Sequence, residues 1–207
     1  MEGDRSNTSR GKRDGGFDFN FHVGRLCADL AARLPELSHV DMSRVAIRYC
    51  QARSAASHGL QATLTPLRFE GGELFTQRCG RRWTIERLYD ASGREMLYLL
   101  SFYLPRFLNH SFEEKLTTVI HELWHISPSF NGDLRRLPGR CYAHGPSERE
   151  YHQQMEALAA KWLSFGPPEE TFRFLHASFR QLQSSHGAVF GARISTPRLI
   201  PADHRAA

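Results

Sequence analysis

The stretch SFEEKLTTVIHELWHISP, residues 111 to 128, constrains this chain more than any other. Ser111 followed three residues later by Glu114 is a capping box, in which each side chain satisfies a backbone N–H at the start of a helix. Pro128 supplies the stop, so the segment predicts a helix from Phe112 to Ile126. Phe112, Leu116, Val119, Ile120 and Leu123 form one apolar arc, with Trp124 at its edge. His121, Glu122 and His125 fall on the opposite arc. Such a helix packs one face on a core and turns the other into a cleft.

The rest of the chain supplies that core. Val23, Leu26, Cys27, Leu30 and Leu34 recur at helical spacing until Pro35, which predicts a first helix. SRVAIRYC (43–50) alternates with Val45, Ile47 and Tyr49 on one face and reads as a strand. LQATLTPLRF (60–69) alternates too, and Pro66 assigns it to an edge or a bulge. RRWTIERLY (81–89) and REMLYLLSFYL (94–104) are β-rich runs joined by DASG, the pattern of a hairpin. Beyond the central helix, Ser147 and Glu150 form a second capping box, before a helix carrying Tyr151, Met155, Leu158, Ala159 and Trp162 on one side. A last helix is expected over 168–185, with Phe172, Leu175, Phe179 and Leu182 facing the core and Gly187 as C-cap. Helix, strands, then three helices make an α+β fold: a small, mostly antiparallel sheet with helices packed on it.

The 207 residues suffice for one domain with a sizeable core. The polar run MEGDRSNTSRGKRDGG marks residues 1–16 as a disordered tail without the apolar segment of a signal peptide. Residues 17–190 are read as the folded domain and 191–207 as a C-terminal extension that adds a short strand and then frays. The apolar run Met96–Leu104 is too short to span a bilayer, so no membrane partner is expected. Cys27, Cys50, Cys79 and Cys141 form no CxxC pair, which argues against a zinc ribbon or disulfide framework and for reduced thiols in the cytoplasm. The net charge of +5 comes from basic residues scattered along the chain. Nucleic acid therefore stays a conceivable partner that no basic cluster supports.

HELWH (121–125) is an HExxH motif. Histidines four apart project from adjacent turns, about 40° apart around the axis, and can reach one ion. Glu122, about 60° beyond His125, stands beside that ion without ligating it, where it can take a proton from an attacking water. A shuffled chain with the 11 histidines of this one would carry the motif roughly 4% of the time, so the spacing alone decides little. The capped, amphipathic helix and a downstream third ligand add weight to it. Zinc in a catalytic site takes three protein ligands and leaves one position for water. Asp133, His144, Glu148, Glu150, His152 and Glu156 are the candidates. His144 is favoured, because AHGP (143–146) holds it just before the next helix in a turn that sets its direction. Asp133 in NGD reads as a turn former, Glu148 as a first-turn carboxylate, Glu150 as occupied by its capping box, and His152 with Glu156 as a solvated pair.

LYLLSFYLPRFLNHSFEEKLTTVIHELWHISPSF (97–130), together with AHGPSEREY (143–151), resembles the SprT-like zincin metallopeptidases, most of all their phage and archaeal-type branch. His121, Glu122 and His125 match that family's helix motif, and His144-Gly145-Pro146 matches its third-ligand motif. The resemblance covers about residues 94–165 and implies a compact zincin-like domain, one Zn²⁺ ion and hydrolysis of a protein or peptide substrate. His121, His125 and His144 would be the ligands and Glu122 the general base. Many relatives end in a cysteine-paired zinc ribbon, which this chain lacks. The strand at Met96–Leu104 is expected to offer an edge for an extended substrate. Tyr142, Tyr151, Arg135, Arg136 and Arg140 are open as oxyanion partners, the arginines reading first as a solvated loop. Two other classes stand beside this one: a zinc-binding interaction module without activity, and a DNA-associated protein whose protease activity needs a partner.

Overall fold

The computed structural model describes residues 15–52, 58–136 and 148–202. Strand β1 (Phe17–Asp18) leads into α1 (Phe19–Arg33). The Asp18 carboxylate caps α1 by accepting the Phe21 N–H, and the helix ends at Leu34 before Pro35. Val23, Leu26, Cys27, Leu30 and Leu34 are all fully buried, as their spacing predicts. Then come β2 (Val45–Gln51), β3 (Ala62–Pro66), β4 (Phe75–Arg78), β5 (Arg81–Ile85) and β6 (Tyr98–Leu104). The C-terminal part holds α2 (Phe112–Trp124), α3 (Glu148–Ser164), α4 (Glu169–Phe172), α5 (Phe179–His186), β7 (Val189–Phe190) and β8 (Leu199–Pro201). No helix among the described residues is long and apolar enough to cross a membrane.

The architecture is α+β, but the single small sheet of the sequence reading is, among the described residues, three sheets. The central one has the order β2-β6-β3, with β2 parallel and β3 antiparallel to β6. Tyr98, Leu100, Phe102 and Leu104 alternate onto the face that packs against α1, α2 and α3. Leu99 lies on the other face with Ala46, Leu67 and Met96, covered by Ile85, Leu88 and Ile194. The helices thus gather on one face of the central sheet.

Two expectations about β6 are corrected here. It is not the partner of the 81–89 run, and it is not an edge. Its nearly continuous apolar sequence is that of a strand buried on both faces, which only a central position satisfies. The DASG turn does form: the Asp90 carboxylate accepts the Ser92 and Arg94 N–H groups, and Tyr89 bridges Glu95. Beyond that bridge the two runs part, and β5 pairs instead with β4 and with β8. Among the described residues β2 and β3 are the edges of this sheet, and in β3 Pro66 stands opposite Tyr98.

The expected helix over 168–185 is also divided. After α4 a 3₁₀ turn (Arg173–His176) intervenes, and Ser178 caps α5 anew in a box with Gln181. Ser-x-x-Gln is itself a start signal, and it prevails over the apolar periodicity running through it. Gly187 ends α5 with φ of 75°, a left-handed conformation suited to glycine. The described part of the C-terminal extension docks on the body. Ala192 accepts the Tyr49 N–H and donates to the Asn20 side chain, and β8 completes the β4-β5 sheet.

Candidate metal centre

The capping box at the start of α2 forms as the sequence predicts. The Glu114 N–H donates to Ser111 Oγ at 3.2 Å, and the Ser111 N–H donates to Glu114 Oε2 at 2.9 Å. Leu116, Val119, Ile120 and Leu123 bury completely or nearly so, which fixes the rotation of the helix about its axis. One member of the buried face was not anticipated: Lys115 is 2% exposed. It lies there because its Nζ donates to the carbonyls of Leu108 and Ala177, both at 3.0 Å.

The helix ends at Trp124 rather than at Ile126, and His125 is the C-cap rather than an interior residue. The His125 carbonyl accepts the Arg135 N–H at 2.7 Å, and Ile126 bridges Leu134. Arg135 is anchored, in place of the solvated loop read from the sequence. Its Nε donates to the Trp124 carbonyl at 2.7 Å, and its guanidinium lies 4.1 Å over the Trp124 ring. The end of α2 that carries His125 is therefore held from outside the helix.

On the opposite arc the Nε2 atoms of His121 and His125 stand 3.0 Å apart. Two imidazole nitrogens on one tetrahedral Zn²⁺, each about 2.0–2.1 Å from the ion, lie about 3.3 Å apart. At 3.0 Å the two rings share an N–H···N hydrogen bond, and a small outward shift of the nitrogens would bring them to the spacing of two ligands on one ion; half-buried imidazoles are the donors zinc favours. Glu122 is 8% exposed, and its carboxylate faces the Leu64 N–H of the edge strand β3. Burial pushes this carboxyl up to about 7, and the Leu64 hydrogen bond opposes the shift. A carboxyl whose pKa lies near neutrality, beside two converging imidazoles, can both accept and return a proton.

His144, the favoured third ligand, lies outside the described residues, as do Ser147 of the second capping box, Arg140, Tyr142 and Cys141. Among the described residues no group of three His, Cys, Asp or Glu side chains is placed to hold a metal ion. Asp133, His152 and Glu156, among the competing candidates, have other partners. Asp133 is buried and accepts the Gly71 and Leu134 N–H groups and the Arg136 guanidinium. That is the work of a turn former. His152 and Glu156 form an exposed pair at 3.3 Å. Glu150 is exposed at the start of α3.

Sequence reasoning left Tyr151 as one of several oxyanion candidates. The structure buries it to 5% exposure with its ring against both histidines. Its only sequence signal was membership of the apolar side of α3, which does not distinguish packing on a core from packing on a site. Leu64 gave no signal at all, because its contribution is a backbone N–H.

No family model matches the chain, and no curated protein or solved structure is significantly similar to it.

Proposed function

We propose that this chain is a zinc-dependent metallopeptidase of the SprT-like zincin kind, cleaving peptide bonds of a protein or peptide substrate. The observation that supports this reading is the convergence of His121 and His125 Nε2 to 3.0 Å beside the buried Glu122 carboxyl. His121, His125 and His144 would hold the ion. When bound, zinc would polarise the scissile carbonyl and lower the pKa of water toward neutrality.

The chain's own residues do the rest. Glu122 accepts a proton from the attacking water and delivers it to the leaving amine nitrogen. The Leu64 N–H steadies the carboxylate between those transfers. An extended substrate would pair with the edge strand β3, whose Leu64 adjoins Glu122, rather than with the central β6. The inward-facing Glu122 favours a catalytic site over a structural one, since a purely structural zinc needs no base. Cys27, Cys50 and Cys79 are free thiols, consistent with a reducing compartment such as the cytoplasm.

The test is zinc content by elemental analysis together with hydrolysis of a quenched fluorescent peptide library. Wild type should hold about one ion per chain and cleave. Glu122→Gln should keep the ion and lose cleavage, and His144→Ala should lose much of the ion. A wild-type chain that neither carries nor takes up zinc would sink the proposal.

A further inference from the structure

Tyr151 opens the second turn of α3 and is buried, on a helix whose buried residues further along include Met155 and Leu158. Its ring meets the His121 imidazole edge-on, with centroids 5.1 Å apart and planes at 85°. It lies nearly parallel to the His125 imidazole, 6.2 Å away at 19°. The two imidazoles themselves stand perpendicular, 4.6 Å apart at 83°. Three rings from two helices thus form one wedge. The second torsion of a histidine is broad, so an imidazole on an open helix face swings through many orientations. Here a rigid aromatic surface borders both rings, and their Nε2 atoms meet. Aromatic pairs at these spacings prefer edge-on and offset geometries, so the packing selects ring orientation as well as position.

We infer that Tyr151 is a positioning residue for the paired histidines: its ring, carried by α3, holds the His121 and His125 imidazoles in the orientation that ligates one ion. This rests on the proposed zinc site. It assigns the effect to the ring face and edge, not to the phenol hydroxyl, because the contacts with both histidines are ring to ring. It also gives α3 a task at the site independent of any ligand preceding it, namely pre-organising the two donors on α2. Residues that orient first ligands are typically worth 10–100-fold in metal affinity.

The experiment measures Zn²⁺ affinity of the full chain by competition with a chromophoric chelator, with thermal unfolding followed by circular dichroism alongside. Tyr151→Phe should bind zinc within about threefold of wild type, and Tyr151→Leu should bind about 10–100-fold more weakly. Leu158→Ala, which loosens the same helix pair away from the histidines, should lose stability and keep its affinity. Should Tyr151→Leu fail to fold, Tyr151→Met keeps the bulk without the flat ring and must show the same loss. Equal affinity of wild type and the ringless variant refutes the inference, and so does an equal loss in Tyr151→Phe, which would move the role to the hydroxyl. If Leu158→Ala loses zinc in proportion to stability, Tyr151 acts through the fold alone and the inference fails. Wild type that binds no zinc overturns the parent reading, and this one with it, an outcome distinct from all the others.

Discussion

Replacing Lys115 by methionine tests how the buried face of α2 is held together. The ammonium is buried and donates to the Leu108 and Ala177 carbonyls. Burial lowers its pKa from 10.5 to about 8. The folded chain therefore releases this proton near 8 and the unfolded chain near 10.5. Between those two values the unfolded state binds more protons, so stability rises with pH there. Below that window the group adds no slope, and keeping it charged costs about 3 kcal/mol at most. The methionine side chain has no charge to desolvate, yet it leaves two carbonyls without their donor, at about 1–3 kcal/mol each. Near pH 7 the two effects largely offset each other. Near pH 10 only the loss remains. Urea unfolding of both proteins at pH 7 and pH 10, followed by tryptophan fluorescence, should show Lys115→Met falling behind wild type by up to about 3 kcal/mol more at the higher pH. Other groups that titrate in this range are common to both proteins and cancel in the difference. A difference that does not change with pH would refute the reasoning.

Three further outcomes can be checked by the same unfolding measurements. Ser111→Ala removes one half of the capping box on α2 and should cost about 1 kcal/mol. Arg78 and Arg81 stand directly opposite each other at the end of the β4-β5 hairpin, so Arg81→Glu should stabilise by about 0.5 kcal/mol in dilute buffer, and the gain should vanish in 1 M salt (about 3 Å screening). The turn between those arginines has Cys79 at φ of 49° and Gly80 at 72°, the left-handed pair of a type I′ hairpin. Cys79→Asn, better suited to that conformation, should raise stability by about 0.5 kcal/mol, and no gain would mean that the turn has another form.

The amino-acid order alone determined the local features of this protein. The capping box at Ser111, the buried stripe of α1, the edge position of the Pro66 strand and the cap at Gly187 each follow from interactions within a few residues. So does the placing of His121, Glu122 and His125 on one arc of α2, because helix periodicity is a local property. Tertiary structure alone decided which strands meet, since β6 had to take the only position where both its faces are covered. It also decided that Lys115 faces inward toward two carbonyls, one of them 62 residues away. The setting of the candidate site was equally out of sequence reach. The Leu64 N–H reaches Glu122, and the Tyr151 ring reaches both histidines, only after β3 and α3 have packed on α2. Local periodicity orients a side chain about its own helix axis; what it meets there depends on contacts between segments far apart in the chain, which no short-range pattern encodes.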